Sequence, residues 1–220
     1  MTRSMTTAST PVPRRERRKD ARPGELIDAA LDVFSDRGFA GARLDDIARR
    51  AGVTKGTVYL YFASKEELFE AAVRHTLVSS IARADATVRD FEGSTPDLLR
   101  AVLTGWWHGV VRTKAAALGK LMVAEATNFP ELARFYYDNV IEPGRRLQAR
   151  ILERGIERGE FRPVPVELTV SFIIAPLLYV QYNQHSFAKV IAGAAIDSDG
   201  FLDAFVEHLL AALAPRETRP

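Results

Sequence analysis

The stretch Leu44–Lys65, LDDIARRAGVTKGTVYLYFASK, decides the fold, because it spells two short helices joined by a sharp turn. In its first part Ile47, Ala48 and Ala51 recur at i, i+1 and i+4, the spacing of one helical face, while Asp45, Asp46, Arg49 and Arg50 fall on the other. A helix from Leu44 to Ala51 with its apolar side inward is predicted. Gly52 stands where a helix end commonly takes φ > 0, and Val53 supplies the apolar residue that closes such an end. Thr54 can then accept a hydrogen bond from the free N–H groups of a second helix, in which Val58 and Phe62, four apart, face inward. Lys55, Gly56, Thr57, Tyr59 and Leu60 are left pointing outward or sideways, with Tyr61 at the flank.

Two helices joined by a short turn containing Gly have the form of a helix-turn-helix, whose second helix enters the DNA major groove. The outward residues suit that task. Gly56 lets backbone approach closely, Thr57 and the tyrosine hydroxyls can reach phosphates or base edges, and Lys55 supplies charge. Ser64 opens a further helix and has the S-x-x-E spacing of a capping box with Glu67, so that helix start, with Lys65 beside it, forms a phosphate seat. Apolar spacing alone also fits an ordinary helical hairpin whose glycine and aromatics only pack.

The run from Glu25 to Leu68, and above all AGVTKGTVYLYFASKEELF, resembles the N-terminal DNA-binding domain of the TetR family of transcriptional regulators. The resemblance implies a first helix from about Gly24 to Arg37, then the helix-turn-helix, then the start of a fourth helix. It places DNA contacts on Lys55, Gly56, Thr57, Tyr59, Leu60, Tyr61 and Lys65; among these, the outward Thr57, Tyr59 and Leu60 are expected to read sequence. One position departs from the pattern: Arg43 and Leu44 stand where many members carry Thr or Ser, which leaves the second helix without a side-chain cap. Arg43 can there replace a hydroxyl-to-phosphate contact with a charged one and would hold phosphate together with Tyr61 and Lys65.

Composition narrows the alternatives. The chain has 220 residues, 47% of them apolar, enough to bury a substantial core. Cysteine is absent, which excludes a disulfide framework and any thiolate site and suits a reducing cytoplasm. Residues 1–65 carry 13 Lys and Arg against 8 Asp and Glu, whereas the remainder carries 17 against 20. The positive charge therefore sits at the end with the motif, as a basic head on nucleic acid requires. The first residues lack an apolar signal-peptide core. The most apolar run, Leu168–Val180, contains Pro176 and is well short of the roughly 20 residues needed to cross a bilayer. A cytoplasmic protein without membrane association is expected.

An all-α fold follows from the order of the patterns. Residues 1–20, rich in Ser, Thr, Pro and Arg, form a disordered basic arm, which is either a phosphate-reaching arm or a solvated tail. Residues 21–66 make the three-helix DNA-binding domain, its first helix striped by Ile27, Ala30, Leu31 and Phe34 and stopped by Gly38. Residues 67–215 make a helical effector-binding and dimerisation domain. A helix from Lys65 to about Asp90 joins the two, and Thr95 with Pro96 reads as the N-cap and first residue of the next, which carries Leu99, Val102, Leu103, Trp106 and Val110. Pro143-Gly144 is expected to kink or break a later helix. The helix from Val166 to about Ala188 is apolar nearly all round, and Phe201, Leu202, Phe205, Val206, Leu209 and Leu213 stripe the last. Such a pair needs covering on every side, which a second copy in a four-helix bundle supplies, unless the two complete a monomeric core. A two-fold dimer would set two recognition helices one turn apart on a palindromic operator in double-stranded DNA.

Family resemblance further implies an effector pocket in the helical domain, and the stretch ARFYYDNVIEPGRRLQARILERGIERGEFRP resembles the AefR-like C-terminal type. Trp106, His108, Met122, Glu125, Phe129 and Tyr136 are the candidate lining, apolar walls with a few polar groups. They suit a small apolar or aromatic effector. The implied function is a ligand-responsive regulator, a repressor released by its effector, with an activator or ligand-independent regulator as the alternative. An enzyme is disfavoured: His75, His108, His185 and His208 lie in separate segments with neither a nucleophile motif nor paired metal-ligand spacing, and no cofactor or metal is expected.

Overall fold

The computed structural model describes residues 14–215, with side chains from Pro23 onward except Asp199, and every regular element among them is helical. Helix α1 (Arg14–Gly41) buries the predicted stripe of Ile27, Ala30, Leu31 and Phe34. It begins at Arg14, well before Gly24, so the backbone of residues 14–20 is helical where composition predicted disorder. Arg, Glu, Lys and Ala are strong helix formers, a preference that a disorder reading from charge overlooks. Residues 1–13 of the expected arm lie outside the described residues. Gly38 breaks α1 as predicted, with φ 71° and ψ 175°, and Phe39 folds back into the core.

The turn after α2 (Leu44–Arg50) closes as its sequence dictates. Gly52 has φ +66°, the Val53 N–H donates to the Ala48 carbonyl at 3.0 Å, and the Gly52 N–H donates to Arg49 at 3.2 Å. Two otherwise orphaned carbonyls are thereby satisfied. Helix α3 (Lys55–Tyr59) is too short to stand by propensity, so its cap and its packing hold it. The Thr54 hydroxyl accepts from the Thr57 N–H at 3.3 Å, and Val58 and Phe62 are buried beneath it. At α4 (Lys65–Val73) the Ser64 hydroxyl accepts from the Glu67 N–H at 3.1 Å. The Glu67 carboxylate reaches back to the Ala63 N–H at 2.6 Å, one residue beyond the usual box partner.

The long connecting helix exists, with a π-helical turn (Arg74–Val78) between α4 and α5 (Ser79–Asp90). Ser94, rather than Thr95, caps α6 (Thr95–Trp106): its hydroxyl accepts from the Asp97 N–H at 3.3 Å. Thr95 is instead the first helical residue, its N–H donating to Glu160 at 2.8 Å. A second π turn (Trp107–Val111) widens the helix, and Trp107 becomes fully buried while Trp106 is left half-buried. Helices α7 (Ala116–Glu125) and α8 (Pro130–Tyr136) follow, and a third π turn (Tyr137–Ile141) leads into α9 (Glu142–Glu157). Pro143 falls in the first turn of α9, so the chain passes it through the wider turn without a break.

Helix α10 (Val166–Gln184) ends four residues earlier than predicted, and it is not uniformly covered. Val170, Ile173, Leu177 and Val180 face inward, whereas Leu168, Phe172 and Tyr179 are exposed. Helix α11 (Ser198–Leu213) buries Leu202, Val206 and Leu213. Two apolar clusters result. One joins α1–α4 to Leu118, Leu121, Met122, Leu132 and Val140 of the body, and the other lies within the body around Leu98, Leu103, Trp107, Ile151, Ile173 and Leu202.

Candidate nucleic-acid interface and the helical body

The buried side of the helix-turn-helix fixes what its free side presents. Ile47 and Val58 are both fully buried, and they aim the outer face of α3 at solvent, where Tyr59 is half exposed and Leu60 is 81% exposed. Thr57 is half-buried, its hydroxyl 3.0 Å from that of Thr54. A Cβ on Gly56 would meet only the Thr54 hydroxyl oxygen, at 3.9 Å, so this stretch of backbone is open to a close partner.

Beside this face lies an open cleft of about 340 Å³ lined by Arg43, Lys55, Tyr59, Ser64 and Lys65, with Asp45 and Glu66 among its acidic members. Arg43 is exposed and caps α2 through its backbone alone, as the sequence predicted. The Lys55 ammonium is 3.0 Å from Asp45 and 5.9 Å from the centre of the Tyr59 ring. Its hydrogen bond to Asp45 raises its pKa, so it stays charged at neutral pH. Tyr61 is half-buried against the first core. Lys65 is committed in a way that the sequence did not reveal: its ammonium donates to the carbonyls of Phe39 at 2.9 Å and Ala40 at 3.3 Å.

The candidate effector residues are not all brought together. Met122, Phe129 and Tyr136 belong to the cluster shared with the head, and Trp106 touches both clusters. His108 lies at the surface, away from them. Glu125 accepts from the Ala40 N–H at 3.4 Å and from the Asn128 amide at 3.0 Å, and Phe129 packs edge-on against Phe39 at 4.8 Å. Both thus face the DNA-binding domain. Burial pushes the Tyr136 phenol pKa well up, and its hydroxyl and the Gln181 amide each lie 3.2 Å from where a Cβ on Gly119 would sit. The larger open cleft, about 450 Å³, is lined by Ile156, Phe161, Arg162 and Pro163 and contains none of the candidates.

Sequence reasoning missed several buried polar groups of the body. Trp107 Nε1, Gln148 Oε1, Asn183 Oδ1 and His185 Nδ1 have no protein hydrogen-bond partner. Burial, then the charges of Lys189 and Lys120, lowers the His185 pKa, so this imidazole is neutral at pH 7. No single-helix pattern marks these atoms, because their isolation depends on how α6, α9 and α10 pack.

A capped helix-turn-helix with an exposed second helix, carried on an all-helical body, defines a DNA-binding transcription regulator of the helix-turn-helix class. Residues 26–72 match the family described as bacterial regulatory proteins, tetR family, and residues 90–209 match the tetracyclin repressor-like C-terminal domain. The chain belongs to the TetR family, whose members are transcriptional regulators and not enzymes. It is 31% identical over 192 residues to the HTH-type transcriptional repressor KstR2 of Mycobacterium tuberculosis, covering 79% of this chain and 93% of that protein. The structure of that ketosteroid transcriptional regulator superposes with a TM-score of 0.70 at 25% identity, covering 89% of this chain and 96% of KstR2. The HTH-type transcriptional activator FasR of Mycolicibacterium smegmatis is 47% identical over 75 residues, only 33% of this chain and 34% of FasR. FadR of Bacillus subtilis in complex with stearoyl-CoA shares the fold, with a TM-score of 0.67 at 20% identity over 86% of this chain and 98% of FadR. Among the described residues no helix is long and apolar enough to cross a membrane.

Proposed function

We propose that the chain acts as a homodimeric repressor that reads a palindromic operator through α3 and leaves it when a small apolar effector enters the body. The observation that carries this reading is the solvent-facing Tyr59–Leu60 surface flanked by Arg43, Lys55 and Lys65. Thr57, Tyr59 and Leu60 are the base readers in this reading, Gly56 permits close approach, and Arg43, Lys55, Tyr61 and Lys65 hold phosphate. Likeness to KstR2 along nearly its whole length supports repression, whereas likeness to an activator is confined to 75 residues, a third of this chain.

Dimerisation is supported by α10. Leu168, Phe172, Ala175 and Tyr179 recur at four, three and four residues, the seam spacing of helices that pair with one another, and all four are exposed. Together with α11 this strip would close a four-helix bundle across a two-fold axis. For the effector, the body offers apolar walls with a few unpartnered polar atoms, Trp107 Nε1 and Gln148 Oε1 among them, which a ligand's polar group would satisfy. Relatives named for ketosteroid regulation and for stearoyl-CoA binding favour a lipid-like molecule. Such a ligand releases operator only by its differential affinity for the two head spacings.

Selection of genomic fragments with the purified protein tests the reading. It predicts enrichment of an inverted repeat, bound by two copies and released by a fatty acid, a sterol-derived acid or a coenzyme A thioester of either. Recovery of no specific fragment would overturn it, and binding that strengthens transcription would replace repression with activation.

A further inference from the structure

We propose that Glu125 and Phe129, both in the helical body, are positioning residues for the phosphate-contacting edge of the DNA-binding domain. They would act by holding Lys65 and the turn that leads from α1 into Arg43. The inference rests on the DNA-binding reading above and adds how the body sets the affinity of that site.

The contacts converge on Phe39 and Ala40, immediately after the Gly38 break. The Phe39 ring lies between Phe34 at 5.6 Å, Phe69 at 5.4 Å and Phe129 at 4.8 Å. Three of these four rings belong to the head and its connecting helix, and the fourth comes from the α7–α8 turn. The Lys65 ammonium sits 4.6 Å from the centre of the Phe39 ring and 5.8 Å from that of Phe129, and donates to the carbonyls of Phe39 and Ala40. The Ala40 N–H in turn donates to Glu125, which the Asn128 amide orients. An ammonium has three N–H donors, and the two carbonyls occupy two. The third remains for an anion in the cleft that Lys65 shares with Arg43, Lys55 and Ser64. A body that shifts Phe129 or Glu125 therefore moves both a phosphate donor and the root of Arg43. The reading face of α3, seated on α2 by Val58 and Ile47, is left in place.

This division gives the test its discrimination. Phe129→Ala in the full chain is expected to weaken operator binding about five- to tenfold, in the lower range of inter-site coupling. The slope of log affinity against log salt should become shallower by about one, as for one lost phosphate contact, and the preference for operator over a scrambled duplex should not change. Phe129→Tyr should restore both quantities. In a Lys65→Met background Phe129→Ala should cost clearly less than in the wild-type chain, the remainder passing through Arg43. Glu125→Ala, at a half-buried rim position, gives a second variant should Phe129→Ala fail to fold, and is expected to move the same slope. Unchanged affinity and slope with only a lower melting temperature would assign these residues a purely structural role and overturn the proposal, as would additive losses with Lys65→Met. If the wild-type chain selects no specific fragment, the DNA-binding reading itself fails and takes this inference with it.

Discussion

Helices α3 and α10 both leave large side chains in solvent, yet the surroundings of the two exposures have almost nothing in common. At α3, a helix of five residues, Tyr59 stands among Arg43, Lys55 and Lys65, and Leu60 follows it at the helix end. On α10, Leu168, Phe172 and Tyr179 form a strip along nineteen residues whose only acidic or basic member is Glu167. An apolar side chain in a cationic frame matches a groove walled by phosphates and floored by base edges, thymine methyls included. An apolar strip with hardly any charge matches another apolar strip. Exposure alone therefore distinguishes neither partner, and the neighbouring charge does.

The sharpest way to break this contrast is to put charge on the uncharged strip. If α10 pairs two copies as proposed, Phe172→Glu should leave only monomer in light scattering, since an unpaired buried carboxylate costs about 3–5 kcal/mol. A variant that stays dimeric would remove α10 from the interface. On the other helix, Thr57→Ala and Tyr59→Ala should each weaken operator binding by ~1–3 kcal/mol and relax sequence preference, measured by titration against single-base operator variants, with the oligomeric state unchanged. Removal of the α4 cap by Ser64→Ala should cost about 1 kcal/mol of folding stability in denaturant unfolding. The smallest effect concerns Asp32, which pairs with Arg50 of α2 at 2.8 Å and with Lys114 of the body. Burial pushes its carboxyl pKa up, but hydrogen bonds from Lys114 and Arg50 outweigh it and hold the pKa below the ordinary value. A depressed folded pKa contributes stability above the unfolded value, near pH 4, and loses it as pH falls through the folded one. Asp32→Asn should thus lower the melting temperature at pH 7 by the equivalent of at most about 1 kcal/mol per pair, and the difference should vanish toward pH 3.

The head was legible because each of its decisions is local. Gly52, Val53 and Thr54 settle the turn within three residues, and Val58 with Phe62 settles which side of α3 is hidden. Even there, Lys65 escaped, because the carbonyls it binds belong to a turn twenty-five residues earlier. The body was legible in its helices and less so in its faces. Trp107 rather than Trp106 is fully buried, and three π turns interrupt the regular wheel of the body's helices. Glu125 looked like a polar group in an apolar stripe awaiting a ligand, and its structural partner is the Ala40 N–H, 85 residues away in sequence. His108, a candidate for the effector lining, is at the surface. Periodicity within one segment carries no information about such partners.

The first apolar cluster runs without interruption from Leu26 of α1 to Leu132 and Val140 of the body. What divides the labour of the protein therefore does not divide its unfolding. A fragment ending near residue 66 would leave Phe34 and Phe39 without Phe69, Leu118 and Met122, and is expected to be insoluble. The intact chain should melt in one calorimetric transition, and a protease should find no early cut between α4 and the helices that follow it.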